Sequence, residues 1–195
     1  MHTYYIIYKP YLAVSQFSPL EGKKTLADYF TLPKDVYPVG RLDHDSEGLL
    51  FLTNDSSLNN MLLNPRNKHK RTYWVQVEGD INKEAIDKLE RGIIISIDGK
   101  PHKTLPAKVL VLVEPALPAR NPPIRFRQNI PTTWISITLT EGKNRQIRRM
   151  TAAVGFPTLR LVRYSIEELK INLLEGNSIK QLSKAETYKL LLKQH

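Results

Sequence analysis

Short strand-like segments, joined by links too short for a crossover helix, restrict the fold of this chain more than any other feature. Apolar alternation and turn residues predict strands at residues 3–8, 48–53, 71–78, 107–113, 133–140, 158–165, 169–173 and 178–182. Helical periodicity and end signals predict helices at residues 25–30, 55–63, 82–91, 144–154 and 184–192. Because parallel neighbours need a long crossover and antiparallel neighbours do not, we expect an α+β fold with a mixed, mostly antiparallel sheet and flanking helices.

The length of 195 residues and the hydrophobic content of 41% suit one folded domain over residues 1–195. The chain has no cysteine, which excludes disulfide scaffolds, thiolate metal sites and cysteine nucleophiles. Its five histidines show no paired metal-ligand spacing. The first residues lack a signal-peptide pattern, and the apolar runs are far shorter than a membrane span. We therefore expect a cytoplasmic protein that uses no metal and contacts no membrane.

The net charge of +10 is unevenly distributed along the chain. Residues 1–60 carry five basic and seven acidic side chains, whereas residues 61–195 carry 24 basic and 12 acidic ones. Clustered Lys and Arg side chains bind phosphate backbones because they displace condensed counterions. The charge distribution therefore favours a polyanionic partner, although it does not indicate which one.

Three carboxylates lie within five residues in the segment VGRLDHDSEG at residues 39–48. The plainest interpretation is a solvated turn before a buried strand. The spacing also resembles the start of a calcium-binding EF-hand loop, but Asn54 stands where that loop requires a glutamate, so no metal site is predicted. The third interpretation makes Asp43 a catalytic carboxylate, kept charged by Arg41 two residues earlier, that serves as nucleophile or general base.

A second candidate region is the segment EGKNRQIRRM at residues 141–150, which predicts a turn followed by a helix. Arg145, Arg148 and Arg149 fall within one arc of this helix, and its apolar residues fall on the opposite side. Such a face is often merely solvated. With only Glu141 nearby to neutralise the three arginines, a phosphate-binding surface is the sharper alternative.

Another basic cluster leads directly into the predicted strand at residues 71–78. The cluster consists of Arg66, Lys68, His69, Lys70 and Arg71. Strand alternation places Tyr73 on the same face as two valines, where an aromatic side chain usually packs in a core. The alternative is that Tyr73 stacks on a base that has been turned out of an RNA helix.

These segments together resemble one group of bacterial ribosomal RNA pseudouridine synthases, which consists of the A type for the small ribosomal subunit, together with the B, E and F types for the large one. The resemblance is carried by YKP at residues 8–10, VGRLDHDSEGLLFLTND at 39–55, KRTYWVQVEG at 70–79 and EGKNRQIRRMTAAVGFPTLRLVR at 141–163. Within the group, NPPIR at residues 121–125 and IPTTW at 130–134 are typical of the E type. The resemblance extends over nearly the whole chain.

The resemblance implies a role for each candidate residue. Asp43 would be the catalytic aspartate, Tyr73 the tyrosine that stacks on the base, and Arg148 the partner of Asp43. Arg41 would lie beside the flipped nucleotide, and Leu161 and Arg163 would line or support the pocket. The residues expected to contact substrate RNA are therefore Arg41, Lys143, Arg145, Arg149, Leu161 and Arg163.

The implied fold is the pseudouridine synthase catalytic fold, with two halves of one domain around a central cleft. The implied reaction breaks the N1–C1′ bond of a uridine in large-subunit ribosomal RNA, turns the uracil and rejoins it through C5, without a cofactor. We expect a monomer that needs no protein partner. Because the first predicted strand begins at Thr3, we expect no preceding RNA-binding domain of the ribosomal S4 type.

Two departures from the group lie near the end of the chain. Glu167 stands where relatives carry glycine, and Asn177 follows Gly176 where they carry glutamate. A non-catalytic ribosomal RNA-binding or assembly factor is the main alternative from another class, but Asp43 would then face phosphate as an unfavourable charge. A metal-dependent nuclease acting through Asp43, Asp45 and Glu47 is a further alternative, which predicts strand cleavage abolished by a chelator.

Overall fold

The computed structural model describes residues 2–124 and 130–192. The chain forms two compact units. The first unit comprises Met1–His69 and Val162–His195, and the second comprises Lys70–Leu161. No helix in the described ranges combines the length and the apolar character that crossing a membrane requires.

In chain order, the strands in the described residues are β1 Tyr4–Lys9, β2 Ala13–Val14, β3 Lys24–Thr25, β4 Tyr37–Pro38, β5 Glu47–Thr53, β6 Arg71–Glu78, β7 Ile94–Ile97, β8 Lys100–Lys103, β9 Lys108–Leu112, β10 Thr132–Leu139, β11 Thr158–Ile166, β12 Leu169–Lys170 and β13 Ile179–Leu182. The α-helices are α1 Ser56–Leu63, α2 Lys83–Arg91, α3 Gln146–Ala153 and α4 Lys184–Leu191. Most strand pairs are antiparallel, whereas β5–β11 and β2–β3 are parallel. The predicted α+β class with a mixed, mostly antiparallel sheet is confirmed.

In the first unit, β1 lies between β13 and β5 and is antiparallel to both. Every residue of β5 is buried, because both faces of this strand are covered. Leu49 and Phe51 pack with α1 and α4 on one face, whereas Leu50 and Leu52 pack with Leu26 on the other. The period-2 alternation of a strand thus divides one apolar run between two cores.

In the second unit, β10 pairs with β6 on one side and β9 on the other. Their inward residues form one core with α2 and α3, in which Val75, Ile135 and Met150 are fully buried. Strand β11 begins in this unit and continues into the first.

Two predicted elements differ from the structure, both near chain reversals. Residues 25–30 form only a 3₁₀ turn at Leu26–Asp28, where the Asp28 carboxylate accepts hydrogen bonds from the backbone N–H and the hydroxyl of Thr25. The predicted strand at residues 169–173 ends at Lys170 and is followed by a 3₁₀ helix at Ile171–Leu174.

The hairpin β7–β8 is present in the second unit although the sequence analysis predicts no strand there. Its turn consists of Asp98 and Gly99, both at positive φ. An Asp-Gly pair between short apolar stretches is typical of a tight hairpin turn, so the sequence itself indicated this hairpin. The short, half-exposed strands on either side made it easy to miss.

The proline-rich segment after β9 contains no helix or strand in its described part, residues 114–124. Arg120 Nη1 donates to the carbonyl of Leu159 at 3.3 Å, and Arg160 Nη2 donates to the carbonyl of Pro118 at 2.8 Å. These bonds tie the segment to the start of β11, as expected for an ordered surface loop. Arg125 and Arg127 lie outside the described residues.

Candidate active site

Asp43 lies in a turn whose backbone is fixed on both sides. The buried hydroxyl of Ser15 donates to the Leu42 carbonyl at 2.8 Å and accepts from the Leu42 N–H at 3.1 Å. The N–H of Ser46 donates to the Asp43 carbonyl at 3.0 Å and closes the turn. Because the backbone is held before and after Asp43, its half-buried side chain leaves from a defined point.

Lys9, at the end of β1, is the charged group buried most deeply beside this turn. It is fully buried, and its Nζ donates to the Pro10 carbonyl at 2.9 Å and contacts the His44 carbonyl at 3.5 Å. Burial lowers the pKa of Lys9 to about 8, while the carboxylates of Glu47, Asp45 and Asp43 act in the opposite direction. The sequence analysis did not single out this residue for a functional role.

Two buried charged side chains, Glu47 and Arg163, lie on or against strand β5 after the Asp43 turn. Glu47, which is 3% exposed, accepts a hydrogen bond from the Tyr8 hydroxyl at 3.1 Å. Arg163, also 3% exposed, donates from Nε to the Leu49 carbonyl at 2.7 Å. Arg163 is therefore placed to support this region from within. The buried position of Arg163 agrees better with the predicted role of supporting the pocket than with the predicted contact to substrate RNA.

Gly48 allows β11 to approach β5 at this point. A Cβ atom on Gly48 would lie 2.5 Å from the carbonyl oxygen of Arg163 and 2.8 Å from its backbone nitrogen. The φ angle of Gly48 is +102°, a value that residues with a side chain rarely adopt. Only glycine satisfies both conditions, so the Gly-Leu-Leu-Phe run after the turn also fixes how Arg163 meets β5.

Arg41 stands before the turn with its side chain exposed. It follows Gly40, which has a positive φ of +71° and whose Cβ position would lie 3.3 Å from Leu63 Cδ2 of α1. Arg41 and Asp43 thus lie on the same short loop, one exposed and the other half-buried. In the first unit, the structure brings together Arg41, Asp43 and Arg163 with Glu47, which was considered for the nuclease alternative, and with the unpredicted Lys9 and Ser15.

Tyr73 belongs to the second unit, where it lies on β6 opposite Ile137 of β10. Its ring is half-buried against the core that contains Val75 and Val77, in agreement with the predicted strand alternation. A half-buried tyrosine has part of its ring held by packing and part available to a ligand. Leu161, at 6% exposure, packs in the same core.

The predicted arginine helix is α3, and its apolar side is buried as expected, with Ile147 at 4% and Met150 at 0% exposure. Arg148 is half-buried, and its Nη1 lies 3.5 Å from the Thr158 carbonyl. Arg149 donates from Nη1 to the Ser96 carbonyl of β7. Arg145 is exposed and adopts a left-handed conformation at the start of the helix.

A hydrogen-bond network around Glu141 holds the turn that precedes α3. Glu141 Oε1 accepts from the Leu105 N–H at 2.7 Å and from Gln146 Nε2 at 2.8 Å, and Oε2 lies 3.2 Å from His102 Nε2. The Gln146 side chain in turn accepts from the N–H of Lys143 at 3.0 Å. The exposed Lys143 is thus held by its backbone. Sequence reasoning treated Glu141 only as a neutralising charge and missed its structural role.

The two units hold different groups. The first unit provides a carboxylate on a rigid turn, and the second provides a tyrosine and a row of arginines and lysines. A rigid carboxylate can serve as nucleophile or base, cations suit a phosphate backbone, and an aromatic ring suits an unstacked base. No three His, Asp or Glu side chains in residues 2–124 and 130–192 form a group that could hold a metal ion.

Comparison with protein families gives one match that extends over most of the chain. The family described as RNA pseudouridylate synthase matches residues 3–153. A Vibrio parahaemolyticus protein named ribosomal large subunit pseudouridine synthase E is 52% identical over 177 residues, which are 91% of this chain and 72% of that protein. A Xanthomonas axonopodis pv. citri protein of the same name is 50% identical over 87% of this chain and 88% of that protein.

More distant relatives agree with these matches. A Bacillus subtilis protein named ribosomal large subunit pseudouridine synthase B is 35% identical over 96% of this chain and 70% of that protein. A crystal structure of a pseudouridylate synthase superposes with a TM-score of 0.79 at 24% identity and covers 97% of this chain and 74% of that one. That likeness shows the fold. On the family match and the identity of these relatives, the chain belongs to the RNA pseudouridine synthase family.

Proposed function

We propose that this enzyme converts one uridine of large-subunit ribosomal RNA to pseudouridine, with Asp43 as its catalytic carboxylate. The observation that carries the proposal is the Asp43 turn, in which Ser15 and Ser46 fix the backbone beside a buried lysine. The proposed substrate is supported by relatives that are at least 50% identical and are named ribosomal large subunit pseudouridine synthase E.

In the first unit, Asp43 acts on the nucleotide and Arg41 lies beside the space that the flipped uridine leaves. Asp43 attacks C1′, adds to the uracil ring or removes the C2′ proton, and each route requires a charged carboxylate near the ribose. The buried ammonium group of Lys9 provides a positive charge beneath the turn. Arg163 supports the pocket from the interior through its bond to Leu49.

In the second unit, Tyr73 stacks on the uracil while Arg148 pairs with Asp43 in the complex. Half-burial of both side chains suits these roles, because each is held by packing and keeps an accessible part. Leu161 supports the pocket from the core in which it is buried. Lys143, Arg145 and Arg149 contact RNA phosphates, to which exposed cations contribute affinity without sequence specificity. We further propose that residues 1–195 act as one domain whose halves enclose the substrate.

The reaction conserves all atoms apart from exchange of protons with water. The bond from uracil N1 to C1′ breaks, and a bond from C5 to C1′ forms after the base has turned. C5 loses its hydrogen to solvent, and N1 gains a proton. Because nothing is oxidised or reduced, the protein needs no cofactor. We also propose that it acts as a cytoplasmic monomer without an obligatory protein partner, which light scattering can test.

Release of tritium from C5 of uridine tests the reaction directly. Unmodified large-subunit ribosomal RNA labelled at uridine C5 is incubated with the wild type, Asp43→Asn or Asp45→Asn, with EDTA present throughout. We expect the wild type and Asp45→Asn to release tritium, and Asp43→Asn to bind the RNA without releasing any. The matched Asp45→Asn control removes one negative charge from the same turn but not the proposed catalytic group.

The other outcomes lead to different conclusions. If the wild type binds RNA but releases no tritium, the proposed substrate or the catalytic role is wrong. If Asp43→Asn releases tritium at the wild-type rate, Asp43 is not the catalytic carboxylate. If the wild type releases tritium only in a parallel reaction without EDTA, the reaction depends on a metal, contrary to the proposal.

A further inference from the structure

A short basic turn follows α1 in the first unit, and none of the roles above uses it. This basic turn comprises residues 64–69 and contains Arg66 and Lys68, both with exposed side chains. The sequence from residue 56 to residue 77 contains no Asp or Glu. The two cations therefore lie in a stretch of chain without local carboxylates, as in surfaces that bind phosphate.

The basic turn starts next to the loop that carries Asp43. Leu63, the last residue of α1, contacts Gly40, where a Cβ atom would lie 3.3 Å from Leu63 Cδ2. Gly40 directly precedes Arg41 and lies three residues before Asp43. Within the first unit, the surface thus continues from Arg41 across the end of α1 to the basic turn. Leu63 is 44% exposed and Met61 is 39% exposed, which gives this surface apolar side chains beside its cations.

The backbone of the basic turn is fixed at its start. Asn64 Oδ1 accepts from the Arg66 N–H at 3.0 Å, and Asn67 Nδ2 donates to the Met61 carbonyl at 2.8 Å. The N–H of Lys68 donates to the Pro65 carbonyl, and Lys68 adopts a left-handed conformation. These bonds use Asn side chains and backbone groups rather than the charged groups of Arg66 and Lys68, whose side chains are exposed.

The basic turn is also fixed at its end, by a pair that is almost enclosed. His69 Nδ1 lies 3.1 Å from Glu167 Oε1, with side-chain exposures of 11% and 9%. Glu167 belongs to the reversal between β11 and β12 and adopts a φ of +48°. The acidic side chain nearest the end of the basic turn thus contacts a histidine and is almost enclosed.

We propose that the basic turn binds the ribose-phosphate backbone of the RNA that flanks the target uridine, with Arg66 and Lys68 each contacting a phosphate. The proposal rests on the proposed function, because it places this surface beside the catalytic loop. A cation held on a pre-ordered backbone loses less entropy on binding than one on a flexible tail. The exposed Leu63 and Met61 offer apolar contact to a sugar or an unstacked base.

The test measures RNA affinity at several salt concentrations for the double variant Arg66→Gln, Lys68→Gln. The probe is unmodified large-subunit ribosomal RNA transcribed in vitro. Removing two phosphate contacts weakens binding roughly tenfold at moderate salt and reduces the slope of log affinity against log salt by about 2. The rate of tritium release at saturating RNA stays at the wild-type value, because Asp43 and its turn are unchanged.

The matched control is Lys83→Gln, Lys88→Gln on α2, which removes the same number of charges from lysines paired with Asp87 and Glu84. Affinity and salt slope equal to those of the control would overturn the proposal. Failure of the proposed function gives a different result, since the wild type would then bind RNA without releasing tritium. A normal affinity for naked RNA combined with loss of binding to a ribosomal precursor particle would also overturn it and indicate a protein contact.

Discussion

The Asp43 turn in the first unit and the arginine helix in the second are built by different means. The turn is held by bonds to its own backbone, from Ser15 and from Ser46, next to a fully buried Lys9. The helix is held by its apolar side, and its cations are exposed or half-buried. The half-buried carboxylate proposed to do chemistry is thus carried by a backbone that hydrogen bonds hold, whereas the cations proposed to hold RNA are on long side chains that can adapt.

The close approach of β5 and β11 beneath the Asp43 turn is the most fragile point of this arrangement. The substitution Gly48→Ala forces a Cβ to within 2.5 Å of the Arg163 carbonyl at a φ of +102°. We expect it to lower the free energy of unfolding by about 4 kcal/mol, measured by urea denaturation. Gly142→Ala in the second unit is the control, since a Cβ there meets nothing within 4 Å, and equal losses in both variants would contradict the prediction.

Lys9 gives the first unit a pH dependence. Its pKa in the folded protein is lowered from 10.5 to about 8, so between these values the unfolded chain holds more protons at this residue than the folded one. The contribution of Lys9 to the free energy of unfolding therefore increases with pH over this interval, by at most about 3 kcal/mol. Urea denaturation of the wild type and Lys9→Met at a series of pH values measures the difference. A difference that is constant with pH would show that Lys9 titrates normally.

Removing the Ser15 hydroxyl separates backbone placement of Asp43 from its chemistry. Ser15→Ala leaves the buried N–H and carbonyl of Leu42 without this partner, which we expect to cost about 2 kcal/mol of stability. We also expect roughly a tenfold lower kcat with little change in KM, because the carboxylate moves but the RNA surface does not. The exposed Ser18→Ala serves as the control. A change confined to KM would argue against a positioning role.

In the second unit, removing the acceptor that holds the turn before α3 is expected to weaken RNA binding rather than the chemical step. Glu141→Ala removes the acceptor for the Leu105 N–H and for Gln146, which together hold the turn before α3. We expect a loss of about 1 kcal/mol in stability and a severalfold higher KM for RNA at nearly constant kcat. Steady-state tritium release over a range of RNA concentrations separates the two constants. If Glu141→Ala lowers kcat as much as Ser15→Ala does, the first unit does not differ from the second in the way proposed, with one placing the catalytic group and the other binding RNA.

Local sequence was sufficient for most of the helices and strands. Asp55, Asn82 and Ser183 each accept a hydrogen bond from the backbone of the helix that follows, and these caps lie where the sequence predicts helix starts. Period-2 alternation likewise located β6 and β10, and short apolar runs between turn residues located β1 and β5. Caps and alternation act between residues at most a few positions apart, so the sequence records them directly.

The candidate site was predictable only in its residue types. The carboxylate-rich loop, the strand with Tyr73 and the arginine helix are visible in the sequence, and the resemblance supplied their roles. The burial of Lys9 was not predictable, because a lysine is normally exposed and its position depends on the fold of the loop that carries His44, 35 residues away. The His69–Glu167 pair joins residues 98 positions apart.

By itself, the sequence determined the α+β class, the period of the α-helices and of the longer strands, the excess of cations after residue 60 and the presence of an acidic turn before a buried strand. The tertiary structure decided which polar groups are buried, how Gly48 brings β11 against β5, and how Ser15 and Lys9 reach the Asp43 turn. The reason is physical: propensity and alternation act between neighbours in the chain, whereas desolvation and hydrogen bonding of buried groups depend on segments that only the fold brings together.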